Sequence, residues 1–141
     1  MAAYLEHANI TVPSIDAAIE FLLLVEPTFF VRHDEAVEGT YRWAHIGNHN
    51  TYIALQEPHL DAGENQTRRP YKDHGVNHLA FVVSDIDACA ARLDGAGFRR
   101  SIGTKEHPFR KRLYFFDRAG LEWELVQYLT DNMADRHSYE T

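Results

Sequence analysis

The chain has few of the features that mark membrane, secreted or nucleic-acid-binding proteins. Its 141 residues include one cysteine, Cys89, which excludes an internal disulfide. No apolar run approaches the roughly 20 residues that a membrane-spanning helix needs, and residues 1–7 lack the basic and apolar segments of a secretory signal. The formal net charge is −7, and the longest basic block is Arg110-Lys111-Arg112. We therefore expect a cytoplasmic protein with no nucleic-acid partner and no membrane partner.

Histidine is the residue type that stands out. The chain holds 9 histidines, and imidazole is both the commonest metal ligand in proteins and a frequent acid–base group. Hydrophobic residues at 45% and charged residues at 25% are ordinary for a globular protein. Because the length is close to the commonest domain size, the sequence predicts a single domain over residues 1–141, with histidine chemistry as its first functional candidate.

The hydrophobic pattern predicts the same series of elements twice. In the first half, period-two alternation predicts a strand at 5–12, and apolar residues at helical spacing predict a helix between Ser14 and Pro27. Strands at 28–33, 40–47 and 51–56 complete a β-α-β-β-β module over about 4–56, and a polar linker follows over 57–75. The second module, about 76–128, has a helix from Ile86 to Leu93, strands at 76–83, 98–102, 111–116 and 121–128, and a polar, loosely held tail at 129–141.

Matched residues indicate that the two modules are an internal duplication. His7 corresponds to His78 at a shift of 71 residues, and Arg42 corresponds to Arg112 at a shift of 70. Equivalent residues at nearly one shift are harder to obtain by accident than a shared hydrophobic pattern. The sequence therefore predicts an α+β fold built from two similar units.

Three side chains form a candidate metal site. In each first strand the apolar residues must face the covering helix, which places His7 and His78 on the opposite face. Alternation in the last strand favours the same orientation for Glu124. Two imidazoles and one carboxylate are a ligand set for a divalent metal with positions left open for substrate. Since a single strand histidine is usually structural, the hypothesis depends on the pairing of His7 with His78.

Three segments of the chain resemble the vicinal oxygen chelate superfamily, which includes glyoxalase I, methylmalonyl-CoA epimerase, type I extradiol dioxygenases, fosfomycin-resistance enzymes and bleomycin-binding proteins. They are residues 5–12 (LEHANITV), 76–86 (VNHLAFVVSDI) and 116–126 (FDRAGLEWELV). The resemblance implies the glyoxalase/bleomycin resistance/dioxygenase fold, in which two β-α-β-β-β modules form an eight-stranded cup around a metal. It also implies a homodimer and metal ligands in the first and last strands, where His7, His78 and Glu124 stand.

The fourth ligand position departs from the family pattern. Ala54 aligns with Glu124, whereas glyoxalase I and the epimerase resemble each other in having Glu or Gln there. Gln56, two residues further on, is the candidate for an additional ligand. A site of two histidines and one glutamate is similar to those of the extradiol dioxygenases and the fosfomycin-resistance enzymes. In the former, iron(II) binds a vicinal diol and oxygen. The resemblance therefore favours Fe(II) as the cofactor, with Mn, Ni, Zn and Co as the other candidates.

Several further side chains are candidates for moving protons or binding an anionic substrate. The proton-transfer candidates are led by His45, His49 and Tyr114 and also include Tyr52 and His107. Arg42 and Arg112 either pair with acidic residues of the chain or clamp an anionic substrate, because guanidinium groups match carboxylates.

The lead prediction is a metal-dependent enzyme that acts on a small molecule with vicinal oxygens, by ring cleavage of the extradiol dioxygenase type. One alternative is a glyoxalase- or epimerase-like lyase or isomerase that works through a metal-bound enediolate. Another is a non-catalytic binding or sequestering protein, against which the three metal donors argue. Fosfomycin-resistance chemistry is disfavoured, because those enzymes resemble one another in a Ser- and Gly-rich stretch where residues 106–112 here read EHPFRKR.

Overall fold

The computed structural model describes residues 2–139 and divides the chain into two compact units, Met1–Arg68 and Arg69–Thr141. The boundary lies inside the linker predicted over 57–75, so residues 69–75 belong to the second unit. None of the helices in residues 2–139 could span a membrane.

The first unit is a four-stranded sheet covered by one helix. Along the chain its elements are β1 (His7–Thr11), α1 (Ile15–Val25), β2 (Phe30–Val37), β3 (Tyr41–Gly47) and β4 (Tyr52–Gln56). The strand order is β1-β4-β3-β2, with β1 parallel to β4 and the other neighbours antiparallel. The helix begins where the Ser14 side chain accepts a hydrogen bond from the Ala17 amide, which satisfies a free N–H of the first turn. Its buried stripe, including Phe21 and Leu22, packs on β3 and β4.

The second unit is a three-stranded sheet with the same helix placement. Its elements are β5 (His78–Val82), α2 (Ile86–Gly95), β6 (Arg110–Phe116), β7 (Glu122–Tyr128) and the short α3 (Met133–Arg136). The strand order is β5-β7-β6, with β5 parallel to β7 and β6 antiparallel to it. Ile86 and Leu93 of α2 are fully buried, as are Phe115 and Leu125 of the sheet, so one face of this sheet is closed by the helix.

The structure confirms the α+β class and corrects the number of strands. Residues 98–102 were expected to be the eighth strand but form only an isolated bridge, between Arg100 and Phe115. The described residues therefore contain seven named strands, in sheets of four and three. Phe98 is buried whereas Ile102 is exposed. Two backbone hydrogen bonds, from Ser101 to Tyr114 and from Phe116 to Arg99, hold this short segment against β6.

Both helices are anchored in the same way, which supports the duplication. The Glu57 carboxylate, just after β4, accepts a hydrogen bond from the Ile15 amide at 3.1 Å. The Gln127 side chain, on β7, accepts one from the Ile86 amide at 2.9 Å. Each module thus uses a side chain near the end of its last strand to satisfy the first turn of its own helix.

The strand registers correct the expected equivalence of Arg42 and Arg112. Trp43 pairs with Gln56, and Arg112 pairs with Val126, so Trp43 is the counterpart of Arg112. The turn between β3 and β4 spans residues 48–51, whereas the turn between β6 and β7 spans residues 117–121 and is one residue longer. A one-residue offset moves a strand side chain to the opposite face of the sheet, so the two arginines do not share a role.

The C-terminal segment is also better ordered than expected. Arg110 on β6 donates hydrogen bonds to the carbonyls of Arg136 and Ser138, both at 2.9 Å. Arg136 in turn donates to the Thr130 carbonyl at 2.7 Å. These contacts hold residues 130–138 against the second unit, while residues 140 and 141 of the expected loose tail lie outside the described part of the chain.

Candidate metal centre

The second unit brings two of the predicted metal ligands together on the sheet face that α2 leaves open. In the register, Ala80 lies opposite Glu124, and His78 lies opposite Glu122. His78 and Glu124 therefore share a face as diagonal neighbours, and His78 Nε2 is 3.1 Å from a Glu124 carboxylate oxygen. The small side chain of Ala80 leaves room for this contact.

The spacing of these two atoms fits a common metal ligand geometry. Nitrogen and oxygen donors lie about 2.1 Å from a divalent ion, so two donors on adjacent octahedral corners are about 3 Å apart. The observed 3.1 Å matches this value. Within residues 2–139, no group of three or more His, Cys, Asp or Glu side chains is assembled so that it could hold a metal ion. The pair is therefore the part of the predicted ligand set that the structure brings together.

Tyr114 lies against this pair. Its ring meets the His78 ring edge-on, with centroids 5.4 Å apart, and it pairs across the sheet with Glu124. Burial, together with a hydrogen bond to Glu124, raises the pKa of the Tyr114 phenol to about 12. The hydroxyl therefore keeps its proton at neutral pH and can act as a hydrogen-bond donor at the pair.

A second group of side chains holds the other nitrogen of His78. The Tyr71 hydroxyl is 3.1 Å from His78 Nδ1 and donates a short hydrogen bond to Glu122. Ser101 donates to the other oxygen of Glu122 at 2.7 Å. No sequence pattern indicated Tyr71, because it lies in a polar linker without periodicity. Glu122 and Glu124 are two residues apart on β7 and therefore face the same side of the sheet. This alternation could have indicated Glu122 as a residue of the site.

The open face of the first unit carries His7 within a row of aromatic rings. We call this the aromatic row; its members are His7, Tyr52, His45, Trp43 and His33. Successive ring centroids are 4.8, 4.7, 5.0 and 4.6 Å apart along the row. Gly47 lies beneath it, and a Cβ at that position would lie 2.9 Å from the Tyr52 Cβ and 2.2 Å from the Thr51 carbonyl oxygen. Only glycine therefore lets Tyr52 pack here.

Two members of the row have defined proton chemistry. His7 Nδ1 contacts the Glu6 carboxylate at 2.5 Å and the Tyr52 hydroxyl at 3.2 Å. His7 and His78 thus both use Nδ1 for contacts within their own unit, which leaves Nε2 as the nitrogen suited to a metal. Burial lowers the pKa of His45, so its imidazole favours the neutral form and can accept a proton.

Ala54 and Gln56, the fourth ligand position and its substitute, lie on β4. Ala54 is buried and offers no donor atom. Gln56 at the end of β4 lies on the same face as Ala54, and its amide nitrogen is 3.4 Å from His59 Nε2. Gln56 therefore has a described partner outside the aromatic row.

The two predicted arginine clamps are placed differently. Arg42 points to the helix side, where it pairs with Asp34 at 2.7 Å and Asp16 at 3.0 Å. These contacts raise the pKa of Arg42 and lower the pKa of Asp34. Of the two roles expected for Arg42, an ion pair within the chain or a clamp on an anionic substrate, the structure shows the ion pair. Arg112 shares the open face with Glu124 by strand parity, and its buried Nε has no hydrogen-bond partner among residues 2–139.

The remaining histidine candidates lie apart from the aromatic row and the His78–Glu124 pair within their own units. His49 is exposed in the turn between β3 and β4, with its ring 5.2 Å from that of Phe30. His107 is buried, accepts a hydrogen bond from the Phe109 amide and contacts the Ser138 carbonyl. His107 therefore serves to order the second unit.

Comparison with known proteins identifies the family to which the chain belongs. The family model of the Glyoxalase/Bleomycin resistance protein/Dioxygenase superfamily matches residues 4–125. The chain belongs to this superfamily. A search of curated proteins finds no significant match.

Solved structures share the fold at low sequence identity. A glyoxylase/bleomycin resistance protein/dioxygenase domain from Frankia sp. EAN1pec is 21% identical, with a TM-score of 0.74 over 98% of this chain and 100% of that one. The fosfomycin resistance protein FosX from Listeria monocytogenes, solved with Mn(II) and a sulfate ion, is 18% identical, with a TM-score of 0.70 and the same coverage. A mutant of that FosX, 17% identical with a TM-score of 0.70, also covers 98% of this chain and 100% of that one. It was solved with Mn(II) and 1S,2S-dihydroxypropylphosphonic acid.

Proposed function

We propose that this chain is a metal-dependent enzyme acting on a small molecule with vicinal oxygens, with His7, His78 and Glu124 as the metal ligands. The observation that carries the proposal is the pairing of His78 Nε2 with the Glu124 carboxylate at 3.1 Å. Imidazole nitrogen and carboxylate oxygen are donors for divalent ions, and 3.1 Å is a separation that two neighbouring ligands of one ion can have. His7 occupies on β1 the position that His78 occupies on β5, since each is the first residue of its strand.

The donor set favours Fe(II), with Mn, Ni, Zn and Co as the other candidates. Two imidazoles and one carboxylate would leave coordination positions open, and this set of donors suits non-heme Fe(II). FosX, a protein of the same fold, was solved with Mn(II). When bound, such an ion would act as a Lewis acid that holds adjacent substrate oxygens and stabilises negative charge that develops on them.

The aromatic row supports a planar aromatic substrate, and with it the extradiol type of ring cleavage. Its rings contact one another in series on the open face of the first sheet, and it includes His7 itself. Aromatic rings gain offset-stacked or edge-to-face contacts of about 0.5–1.5 kcal/mol per pair beyond burial. A catechol-like diol has both the ring for this surface and the vicinal oxygens for the metal.

Three further side chains have roles in this proposal. His45, held neutral by burial, accepts a proton from the diol. Tyr114, whose phenol stays protonated because burial raises its pKa to about 12, donates a hydrogen bond to an anionic oxygen. Arg112, whose buried Nε has no partner among the described residues, binds a negatively charged substituent of the substrate. His49 is the other acid–base candidate, and it is exposed in its turn.

A lyase or isomerase that works through an enediolate is the second candidate. The observation that favours it is the diol phosphonate found with Mn(II) in the FosX mutant, because that ligand offers vicinal oxygens without an aromatic ring. Such chemistry would draw on Gln56 as an additional ligand. The absence of a donor at Ala54 weighs against it and keeps ring cleavage as the lead.

Metal content tests the proposal directly. The protein would be purified without air and without chelator, and its metals measured beside those of His7→Ala, His78→Ala and Glu124→Ala. We expect about one equivalent of iron in the parent and loss of the metal in all three variants, because each removes a ligand. His49→Ala, which removes an exposed histidine, is the control and should retain the metal.

The outcomes separate the candidate functions. Iron in the parent, together with oxygen consumption on catechol-like substrates, would support ring cleavage. Nickel, zinc, cobalt or manganese lost in the same three variants would support the lyase or isomerase. A parent that takes up no metal even on reconstitution would contradict the enzyme proposal and indicate a small-molecule binding protein.

A further inference from the structure

Tyr71 has a backbone conformation that a bulky residue rarely adopts. Its φ of 64° is the only positive value outside glycine among the described residues. For a non-glycine residue this region is strained and persists only when the surroundings impose it. Such strained residues cluster at functional sites, which makes the contacts of this side chain informative.

The local backbone is fixed by hydrogen bonds on both sides of Tyr71. Asn77 accepts a hydrogen bond from the Tyr71 amide at 2.7 Å. Arg69 and Asp73 close the loop with an ion pair of 2.6 Å, and the Arg69 amide donates to the same carboxylate at 2.7 Å. The segment therefore holds Tyr71 in one orientation although 62% of the residue is exposed.

The orientation directs the hydroxyl of an otherwise exposed ring to a buried carboxylate. Tyr71 donates to Glu122, which is only 7% exposed and also accepts from Ser101. Because the hydroxyl proton is used toward Glu122, the Tyr71 oxygen is left to accept from His78 Nδ1, which lies 3.1 Å away. This network places a ring proton of His78 on Nδ1, on the side away from Nε2, which lies 3.1 Å from a Glu124 carboxylate oxygen.

We infer that Tyr71 is a positioning residue that, together with Glu122, selects the tautomer and ring orientation in which His78 binds a metal. The inference rests on the proposed role of His78 as a ligand. A metal-bound histidine commonly donates its second ring N–H to a carboxylate or carbonyl, and loss of that partner weakens metal affinity about 10- to 100-fold. Here a tyrosine hydroxyl is inserted between the imidazole and the carboxylate.

The test compares Tyr71→Phe with the parent by two measurements. NMR of the histidine side-chain nitrogens in the metal-free protein reports which nitrogen of His78 carries the proton. Competition titration with Mn(II) gives the dissociation constant. We expect Tyr71→Phe to abolish the preference for an Nδ1 proton and to weaken Mn(II) binding about 10- to 100-fold. The ring and the loop conformation are retained in this variant.

A matched control and a second variant make the result specific. Tyr4→Phe removes a hydroxyl from a tyrosine that is 69% exposed and should leave both measurements unchanged. If Tyr71 and Glu122 act through one path, adding Glu122→Gln to Tyr71→Phe should weaken Mn(II) binding less than the two separate effects predict. Circular dichroism would verify that each variant is folded.

Two results bear differently on the two proposals. If Tyr71→Phe matches Tyr4→Phe in both measurements, the positioning role is wrong. If the parent binds no Mn(II), the proposed function is contradicted, whereas the imidazole signals still decide whether Tyr71 sets the tautomer of His78.

Discussion

Two glutamates on one strand of this protein have different chemical surroundings. Glu122 is buried and accepts hydrogen bonds from Tyr71 and Ser101. Glu124, two residues on, lies beside His78 Nε2 and Tyr114. Both point to the open face because strand side chains repeat every second residue. Their partners, which come from distant parts of the second unit, make Glu122 a support and Glu124 the candidate ligand.

His45 gives a prediction for the effect of pH on stability. Burial lowers its pKa in the folded state below the ordinary value of 6.5, so the unfolded chain binds the proton more readily. The contribution of neutral His45 is therefore complete above about pH 6.5 and is lost as the pH falls toward the lower folded-state pKa. We expect His45→Gln to lose less stability than the parent between pH 8 and 5, as measured by urea unfolding at each pH.

The exposed His49 provides the comparison for that measurement. His49→Gln changes the same residue type in the turn of the same unit, and we expect its stability to follow the pH curve of the parent. If His45→Gln and the parent lose the same free energy of unfolding between pH 8 and 5, protonation of His45 does not cause that loss.

At the scale of elements, the two modules use one device to close the turn before the last strand. In the first, the Asn48 side chain accepts hydrogen bonds from the amides of Asn50 and Thr51. In the second, Asp117 accepts from the amides of Ala119 and Leu121. Asp117 also accepts from the buried indole N–H of Trp123 at 3.0 Å, so it links the turn to the core.

This difference predicts unequal effects of removing the two side chains. Asn48→Ala loses two partly exposed hydrogen bonds, and we expect a cost of about 1 kcal/mol in the free energy of unfolding. Asp117→Ala loses three, one of them the buried hydrogen bond from the Trp123 indole, for which we expect about 2–4 kcal/mol. Chemical denaturation measures both, and Asp61→Ala at an exposed position serves as the control. Similar losses in the two variants would contradict the role given to Asp117.

The length of the same turn decides the role of an arginine. The extra residue between β6 and β7 shifts β6 by one position relative to β3. As a result Lys111, not Arg112, is the counterpart of Arg42, and it pairs with Asp87 at 2.6 Å as Arg42 pairs with Asp16. Arg112 is thereby placed on the open face, beside Glu124 by strand parity.

At the scale of the whole molecule, the proposed ligand set predicts that metal binding stabilises the chain through residues of both units. A ligand at about 100 times its dissociation constant stabilises the native state by about 2.7 kcal/mol. We expect saturating Mn(II) to raise the melting temperature of the parent, and we expect His7→Ala to remove most of that increase although it changes only the first unit. Thermal unfolding with and without Mn(II) measures both effects.

The exposed His49 again supplies the matched variant, since His49→Ala should keep the full increase. An increase that survives in His7→Ala but is lost in His78→Ala would show that the metal is held by the second unit alone. That result would remove His7 from the proposed ligand set while leaving the His78–Glu124 pair in place.

The predicted homodimer and cytoplasmic location stay predictions.

The sequence by itself determined the class of fold, the order of the principal helices and strands, and the faces of His7, His78 and Glu124. These properties follow from periodicities of two and 3.6 residues, which are local and can be read directly from neighbouring positions. The local pattern predicted a strand around Arg100, but the structure has only a single bridge there. The local pattern was therefore insufficient to predict pairing at this position.

Only the tertiary structure decided how Tyr71 reaches Glu122, which partners Arg42 has, and why Arg112 does not share them. Tyr71 and Glu122 are 51 positions apart. Their contact depends on a strained loop whose conformation no sequence periodicity predicts. The placement of the arginines depends on one extra residue in a turn. Contacts of this kind are set by loop length and packing between distant segments, whereas the face of a strand residue is set by its immediate neighbours.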